Sequence, residues 1–443
     1  MCNGPLFVKI VAFAIPLILS GILQLLFNAA DIIVVGRFAG SESLAAVGST
    51  SALINLLVNV FLGLSIGANV LVARYYGGRN FKDLEETVHT AMLLAAVSGA
   101  ALIVIGVLLA GPLLELMGTP EDVLSLAVLY MRIFFVGMPA TLVYNFGSAI
   151  LRAVGDTKRP LYFLLTAGVI NVILNLVFVI VFSLGVAGVA LATVISQCIS
   201  AALIVQCLIR TEGSYRLRMD RLRIVKSKLR EIVQIGFPAG LQGAIFAISN
   251  VLIQSSVNSF GSVAMAGNTA SANIEGFIYI AMNSVYQTAL SFTSQNFGAR
   301  NFKRMTKILL YCLGLVTFVG LVMGSGAVLA GSELLRIYSS DPEVIGYGML
   351  RLGIIASTYF LCGLMDTMVG GLRGMGYSVI PMLVSLTGAC AFRVIWIFTV
   401  FAVDRSLQTL YISYPVSWII TLMAHVICYV ILRRRMERKL HVI

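Results

Sequence analysis

Long apolar runs alternate with short polar segments along the whole sequence. Each run exceeds the roughly 18 residues needed to cross a bilayer, which is typical of transmembrane helices rather than of strands in a soluble core. The pattern therefore predicts an all-α membrane protein. We place its twelve transmembrane helices at residues 10–35, 44–73, 88–110, 123–151, 161–182, 186–209, 231–256, 264–296, 308–330, 344–371, 379–402 and 408–432. Four prolines inside these spans are expected to bend them: Pro16, Pro139, Pro238 and Pro415.

Composition agrees with this prediction. Of the 443 residues, 59% are hydrophobic and 11% are charged, whereas soluble domains contain about 25% charged residues. The first apolar run, residues 10–35, is too long for a cleavable signal peptide. The seven cysteines show no metal-ligand spacing, so we interpret them as small packing residues.

The net charge of +12 could indicate a nucleic-acid partner, but the basic residues lie in short loops rather than along one stripe. The termini and alternate loops hold 25 Lys and Arg residues, whereas the opposite loops hold three. Positive residues accumulate on the cytoplasmic side of membrane proteins. We therefore predict that both termini are cytoplasmic and that no nucleic acid is bound.

The chain repeats itself at half its length. The motif GGRNFK at Gly77–Lys82 returns as GARNFK at Gly298–Lys303, and Leu151–Pro160 returns at Leu372–Pro381, each 221 positions later. Six helices in each half give both halves the same orientation, so the repeats are parallel. The resulting domain prediction is an N-terminal lobe at 1–209, a basic cytoplasmic linker at 210–230 and a C-terminal lobe at 231–443.

Two equivalent lobes are common in secondary transporters that work by alternating access. A channel would normally need a filter of carbonyls or charges, and we find no such sequence. The segment Gly63–Gly67 fits the GxSxG pattern of hydrolases, but it lies inside a predicted helix with no strand before it. We interpret it as a small-residue helix contact and predict a protein that is not an enzyme and has no cofactor.

Three acidic residues lie within the predicted spans, namely Asp31, Glu275 and Asp366. A charge inside the bilayer costs several kcal/mol unless it is paired or functional, so these residues are the first candidates for ion coupling. Asp31 is the strongest, because Gln24 and Asn28 share its helix face at positions i−7 and i−3.

Four side chains with oxygen atoms share one depth in the first lobe, roughly 6–11 Å below the outer membrane face at 1.5 Å per residue. They are Asp31, Tyr130, Asn175 and Thr193, and Asn171 lies one turn before Asn175. Such a group can form an ion site, or it can be an interhelical hydrogen-bond cluster that packs the lobe.

The other two intramembrane acids leave alternatives open. Glu275 could attract a cationic substrate, or it could pair with Arg351 or Arg393. Asp366 occupies the repeat position of Asn145, which favours a local structural role over a function.

Several motifs resemble the multidrug and toxic compound extrusion (MATE) family, in particular its prokaryotic branch similar to DNA-damage-inducible protein F. They are Pro16 followed by Asp31–Gly36, Leu44–Gly48, Leu151–Pro160 and Gln295–Ala299. Their order and spacing cover nearly the whole chain. The resemblance implies two six-helix lobes forming a V and an antiporter that exports organic cations or amphipathic drugs in exchange for Na⁺ or H⁺.

The resemblance also implies site residues. The coupling ion is expected at Asp31, Tyr130, Asn171, Asn175 and Thr193, with Na⁺ held by Asp31, Asn171, Asn175 and Thr193. Gln24, Asn28 and Glu275 are the candidate substrate contacts. Position 175 departs from the family, because related proteins carry Asp there. An amide keeps an oxygen ligand but loses the charge and the titratable proton, which leaves Asp31 as the only acid of the cluster.

The resemblance further implies a protein of the prokaryotic cell membrane that functions as a monomer and handles small molecules. The alternative function is a lipid-linked oligosaccharide flippase of similar helix layout. Its anionic substrate would favour several arginines along the cavity, and Arg132, Arg351 and Arg393 keep this alternative open.

Overall fold

The computed structural model describes residues 1–441, apart from the side chains of residues 437 and 439–441. The last two residues of the predicted lobe at 231–443 therefore lie outside the described residues. The described chain is nearly all helical and contains no strand, which confirms the predicted all-α class.

Twelve helical segments follow one another in the described chain, and we number them α1 to α12. They are α1 Leu6–Ala39, α2 Ser41–Gly77, α3 Phe81–Leu116, α4 Glu121–Val136 with Met138–Val154, α5 Lys158–Val181, α6 Gly185–Arg210, α7 Lys226–Asn258, α8 Ser262–Gly298, α9 Phe302–Leu329, α10 Pro342–Ala356 with Phe360–Gly374, α11 Val379–Val403 and α12 Leu407–His441. Two short turns, Met219–Arg221 and Gly331–Arg336, lie in connections.

Eleven of these segments are long and apolar enough to cross a membrane, counting α4 and α10 as one bent span each. The remaining one, α8, has 37 residues and is long enough to cross, but polar residues such as Glu275 make it less apolar. The twelve predicted spans therefore correspond one to one with the helices of the described chain.

The chain folds into two compact units. One comprises Ile15–Ala244, and the other comprises Met1–Ala14 together with Ile245–Ile443. Inside the first unit, α2 and α7 pack backbone to backbone at the GxSxG-like segment. A Cβ atom added to Gly63 would lie 2.2 Å from the backbone nitrogen of Gly240. This segment is therefore the small-residue helix contact that its sequence predicted.

The repeat appears in the local backbone of both halves. Arg79 and Arg300, which are 221 positions apart, adopt left-handed φ angles of 54° and 55° in the turns after α2 and α8. The next residue caps the following helix in each case, because Asn80 accepts from the Asp83 amide and Asn301 accepts from the Arg304 amide. The two copies of the RNF motif thus build the same turn.

The bent helices also follow the repeat. α4 bends by 47° just before Pro139, as predicted, and α10 bends by 43° at the equivalent repeat position. Because α10 has no proline at its bend, proline is not required there. A π-helical turn at Leu352–Ala356 precedes the second bend and loosens the regular hydrogen-bond ladder.

Candidate functional site

Two helices with the same local design position the candidate ion site. Asp31 lies four residues before a π-helical turn at Val35–Ala39, and Asn175 lies two residues before another at Val177–Val181. Such π turns inside α-helices are frequent at functional sites. α1 and α5 approach closely because Gly168 faces Phe27: a Cβ atom at position 168 would lie 1.8 Å from Cε2 of that ring.

The three residues at the centre are joined by hydrogen bonds. Asn175 Nδ2 donates to Asp31 Oδ1 through a short contact, and also to Asn171 Oδ1 at 3.2 Å. Asn171 and Asn175 are buried, with Asn175 fully enclosed, whereas Asp31 is half-buried. The carboxylate of Asp31 is therefore held by an amide and remains partly accessible.

One oxygen of this cluster is unsatisfied. Asn175 Oδ1 is buried and has no hydrogen-bond partner among the described residues. A buried acceptor without a partner costs about 1–3 kcal/mol. A cation bound at the cluster could take this oxygen as a ligand without displacing a hydrogen bond, so the residues present fit a small hard cation.

Tyr130 and Thr193 contribute differently from the central three residues. Tyr130 is buried, stacks on Phe134 with a ring-centroid distance of 6.1 Å, and interacts electrostatically with Asp31. Thr193 donates its hydroxyl to Val189 O at 3.0 Å within its own helix. The oxygen of Thr193 is therefore partly engaged in its own helix.

Gln24 and Asn28 are both exposed on α1, and neither has a hydrogen-bond partner among the described residues. Their amides are free to meet a ligand from outside the unit. Their role as substrate contacts stays a prediction.

Glu275 lies in the other compact unit, inside a buried network. Its Oε1 accepts from Arg351 Nε at 2.9 Å, and its Oε2 accepts from Arg351 Nη2 at 2.7 Å. Asn268 Oδ1 accepts from both Arg351 Nη1 at 2.6 Å and the Tyr411 hydroxyl at 3.0 Å. Of the alternatives for Glu275, this geometry corresponds to the ion pair with Arg351.

The sequence matches the MatE family model twice, at residues 16–177 and 238–399. These two matches together cover most of the chain. The chain belongs to the MatE family. Each half therefore matches the MatE model once, in agreement with the internal repeat seen in the sequence and in the backbone.

Several known proteins resemble the chain over most of its length. The probable multidrug resistance protein YoeA of Bacillus subtilis is 28% identical over 84% of this chain and 82% of its own length. The FAD transporter of Shewanella oneidensis is 27% identical over 77% of this chain and 76% of its own length. Among solved structures, a MOP superfamily transporter from Pyrococcus furiosus superposes with a TM-score of 0.90 at 21% identity, covering 98% of this chain and 97% of that one. At this sequence identity, the structural similarity to the Pyrococcus furiosus transporter establishes the fold alone.

Three further polar residues within the spans of this MatE protein have different environments. Asp366 is half-buried and has neither an ion pair nor a hydrogen bond within the described chain. Its repeat counterpart Asn145 donates to Thr141 O at 2.8 Å in its own helix. Arg132 is exposed and donates through Nε to Val107 O at 3.1 Å.

Sequence reasoning missed two contributors to these sites. One is Gly168, which allows α1 and α5 to approach each other closely. The available sequence signal was a glycine inside a predicted span, seven residues before Asn175. The other is the group of aromatic rings around Arg393, where Tyr414 and Trp418 lie 4.2 and 5.7 Å from the guanidinium carbon. The spacing i, i+4 on α12 placed those two rings on one face.

Proposed function

We propose that this MatE protein is a secondary active antiporter that exports organic cations and other amphipathic molecules in exchange for Na⁺ or H⁺. The observation that carries the proposal is the intramembrane carboxylate of Asp31, held by Asn175 and partly accessible. A carboxylate at this depth is costly unless it is functional. Alternating access would expose such a carboxylate first to one aqueous phase and then to the other.

The coupling ion is itself transported in each cycle, and the residues of the cluster determine which ion can bind. Asp31 supplies the one charge, and the amide oxygens of Asn171 and Asn175 supply neutral ligands. Na⁺ would use all three, whereas a proton would need only the carboxylate. The unsatisfied Oδ1 of Asn175 favours Na⁺, because only a cation with several ligands makes use of it.

The names of relatives support export of small molecules and leave the substrate class broad. YoeA is named as a probable multidrug resistance protein, and the Shewanella oneidensis relative is named as an FAD transporter. We propose an amphipathic substrate that enters from the membrane or the cytoplasm. We also propose that the protein works as a monomer in the cell membrane, with both termini cytoplasmic.

The arginines argue against the flippase. A lipid-linked oligosaccharide carries phosphate groups that would need several free guanidinium groups. Arg351 is neutralised by Glu275, and Arg132 faces the backbone of α3. Arg132 and Arg393 have no carboxylate partner, but they lie in different compact units, and one such guanidinium in each unit is too few for this substrate.

Proteoliposomes test the proposed function. Purified protein is reconstituted, ethidium is enclosed with a nucleic acid that makes it fluorescent, and a Na⁺ or H⁺ gradient is imposed separately. We expect ethidium movement that depends on one of the gradients and is absent from empty liposomes. Ethidium movement at the same rate without any gradient would contradict antiport.

A further inference from the structure

Arg393 on α11 is a buried cation without a counter-ion. Its side chain is 4% exposed, and its Nε donates to Ser417 Oγ at 2.9 Å. Neither terminal nitrogen donates to another described residue, and Nη2 is completely buried. The nearby carboxylate of Glu275 already accepts two hydrogen bonds from Arg351. A buried guanidinium whose terminal N–H groups have no acceptor is energetically costly.

Aromatic rings surround this guanidinium and continue away from it. Tyr414 and Trp418 lie 4.2 and 5.7 Å from the guanidinium carbon. Trp418 stacks on Tyr359 at a centroid distance of 5.4 Å, and Tyr359 stacks on Tyr279 at 6.5 Å. Tyr279 is 40% exposed, so the row of rings leads from the surface of this unit to the buried cation.

The polar atoms of these rings are also free. Within the described chain, the hydroxyls of Tyr359 and Tyr414 and the indole N–H of Trp418 have no hydrogen-bond partner. Together with the two terminal nitrogens of Arg393 they form a group of donors with one net positive charge. Such a group recognises an anion, and the flat rings recognise a planar apolar body.

We propose that Arg393, with Tyr359, Tyr414 and Trp418, binds the carboxylate, sulfonate or phosphate of an aromatic amphipathic substrate. This inference rests on the proposed transport function and extends its substrates from cations to aromatic anions. It takes a single anionic group, because Arg351, which lies in the same unit as Arg393, is already paired with Glu275. An organic cation is disfavoured at this site, since the guanidinium repels it.

Trp418 reports directly on the site. The chain has two tryptophans, and Trp396→Phe leaves Trp418 as the sole indole. Energy transfer from Trp418 to a dansyl group then measures binding in nanodiscs of zwitterionic lipid. Three ligands share the dansyl ring: dansylglycine carries a carboxylate, dansylamide is neutral, and dansyl-ethylenediamine carries an ammonium group.

We expect dansylglycine to bind about tenfold more tightly than dansylamide, because a hydrogen bond to a charged group contributes about that factor. Dansyl-ethylenediamine should bind most weakly. Arg393→Gln should bring the affinities for dansylglycine and dansylamide within about twofold of each other. The control Arg405→Gln removes an exposed loop arginine and should keep the preference. Tyr414→Phe keeps the ring but removes the hydroxyl, so it should lose part of the preference for dansylglycine over dansylamide. This variant tests the site even if Arg393→Gln fails to fold.

Equal affinities for dansylglycine and dansylamide in the Trp396→Phe protein would overturn the proposal. So would loss of the preference when phosphatidylglycerol is added to the nanodiscs, since the anionic lipid headgroup would then be the occupant. The outcome is separate from that of the transport proposal. Asp31→Asn should retain the dansylglycine preference, and a protein that exports ethidium but lacks the preference contradicts this inference alone.

Discussion

Asn175 on α5 donates a hydrogen bond to the carboxylate of Asp31 on α1, although the two residues are 144 positions apart. The second N–H of the same amide is used by Asn171, so the amide cannot rotate without losing both contacts. This orientation leaves Oδ1 of Asn175 buried and without a hydrogen-bond partner among the described residues. The cluster is thus organised around one negative charge and a free oxygen.

Asn175→Asp should change ion dependence more than folding. The substitution places a second carboxylate against Asp31, and two such carboxylates cannot both be ionised without a bound cation or proton. We expect reduced ethidium efflux whose dependence on external Na⁺ is several-fold steeper than in the wild type. The control Asn145→Asp adds a carboxylate elsewhere in the same unit and should leave the Na⁺ dependence unchanged. An unaltered Na⁺ dependence in Asn175→Asp would exclude position 175 from the ion site.

Gly168→Ala should displace the Phe27 ring and strain the contact between α1 and α5. The added methyl group would lie 1.8 Å from the Phe27 ring, and such overpacking costs about 1–3 kcal/mol. We expect a lower melting temperature in detergent, with recovery in the double variant Gly168→Ala/Phe27→Leu. Gly314→Ala is the matched control, because no atom lies within 4 Å of its added Cβ and alanine favours a helix. Equal melting temperatures for Gly168→Ala and Gly314→Ala would show that the contact does not determine the approach of the helices.

The Glu275–Arg351 pair should be structural. Glu275→Gln leaves a buried guanidinium uncompensated, and breaking a buried pair in this way costs about 3–5 kcal/mol. The double variant Glu275→Gln/Arg351→Met removes both charges and should melt closer to the wild type. Glu333→Gln breaks an exposed pair with Arg336 and should have little effect. A stable Glu275→Gln protein that loses only export of cationic substrates would assign Glu275 to substrate binding instead.

Much of the fold could be predicted because its causes are local. The length of the apolar runs reflects bilayer thickness, and the RNF turns repeat because the same short motif adopts the same backbone. The depth of Asp31 and Asn175 also follows from counting residues along each span. These features do not depend on how the helices rotate against one another.

Side-chain pairing could not be predicted in the same way. Whether Glu275 meets Arg351 or Arg393 depends on the rotation of α8, α10 and α11 about their axes, which packing determines. Thr193 shares the depth of Asp31, yet its hydroxyl turns back to Val189 O. Residue type and depth therefore identify candidates, whereas tertiary packing decides which of them meet.

The linker at 210–230 should be cytoplasmic and held against α3. The Arg218 amide donates to His89 Nε2 at 3.0 Å, the Val225 amide donates to Thr90 Oγ1 at 3.1 Å, and Arg221 pairs with Glu85 at 2.9 Å. Thr90→Val removes one acceptor and leaves the Val225 N–H without that partner. We expect faster tryptic cleavage of the linker in inside-out vesicles for this variant.

Thr166→Val serves as the control for that experiment, since the Thr166 hydroxyl is exposed and bonds only within its own helix. Its cleavage rate should equal that of the wild type. Right-side-out vesicles should show no cleavage between residues 210 and 230. Cleavage there by external trypsin would contradict the predicted topology.

Gradient-driven efflux by Asp31→Asn shows whether the Asp31 carboxylate couples ion entry to export. The substitution keeps the shape of the side chain and removes the only charge of the cluster, so folding and membrane insertion should persist. The measurement is ethidium efflux from proteoliposomes under an imposed Na⁺ or H⁺ gradient, at equal protein incorporation. We expect Asp31→Asn to lose the gradient-dependent component of efflux. Efflux at the wild-type rate would exclude Asp31 from the coupling mechanism.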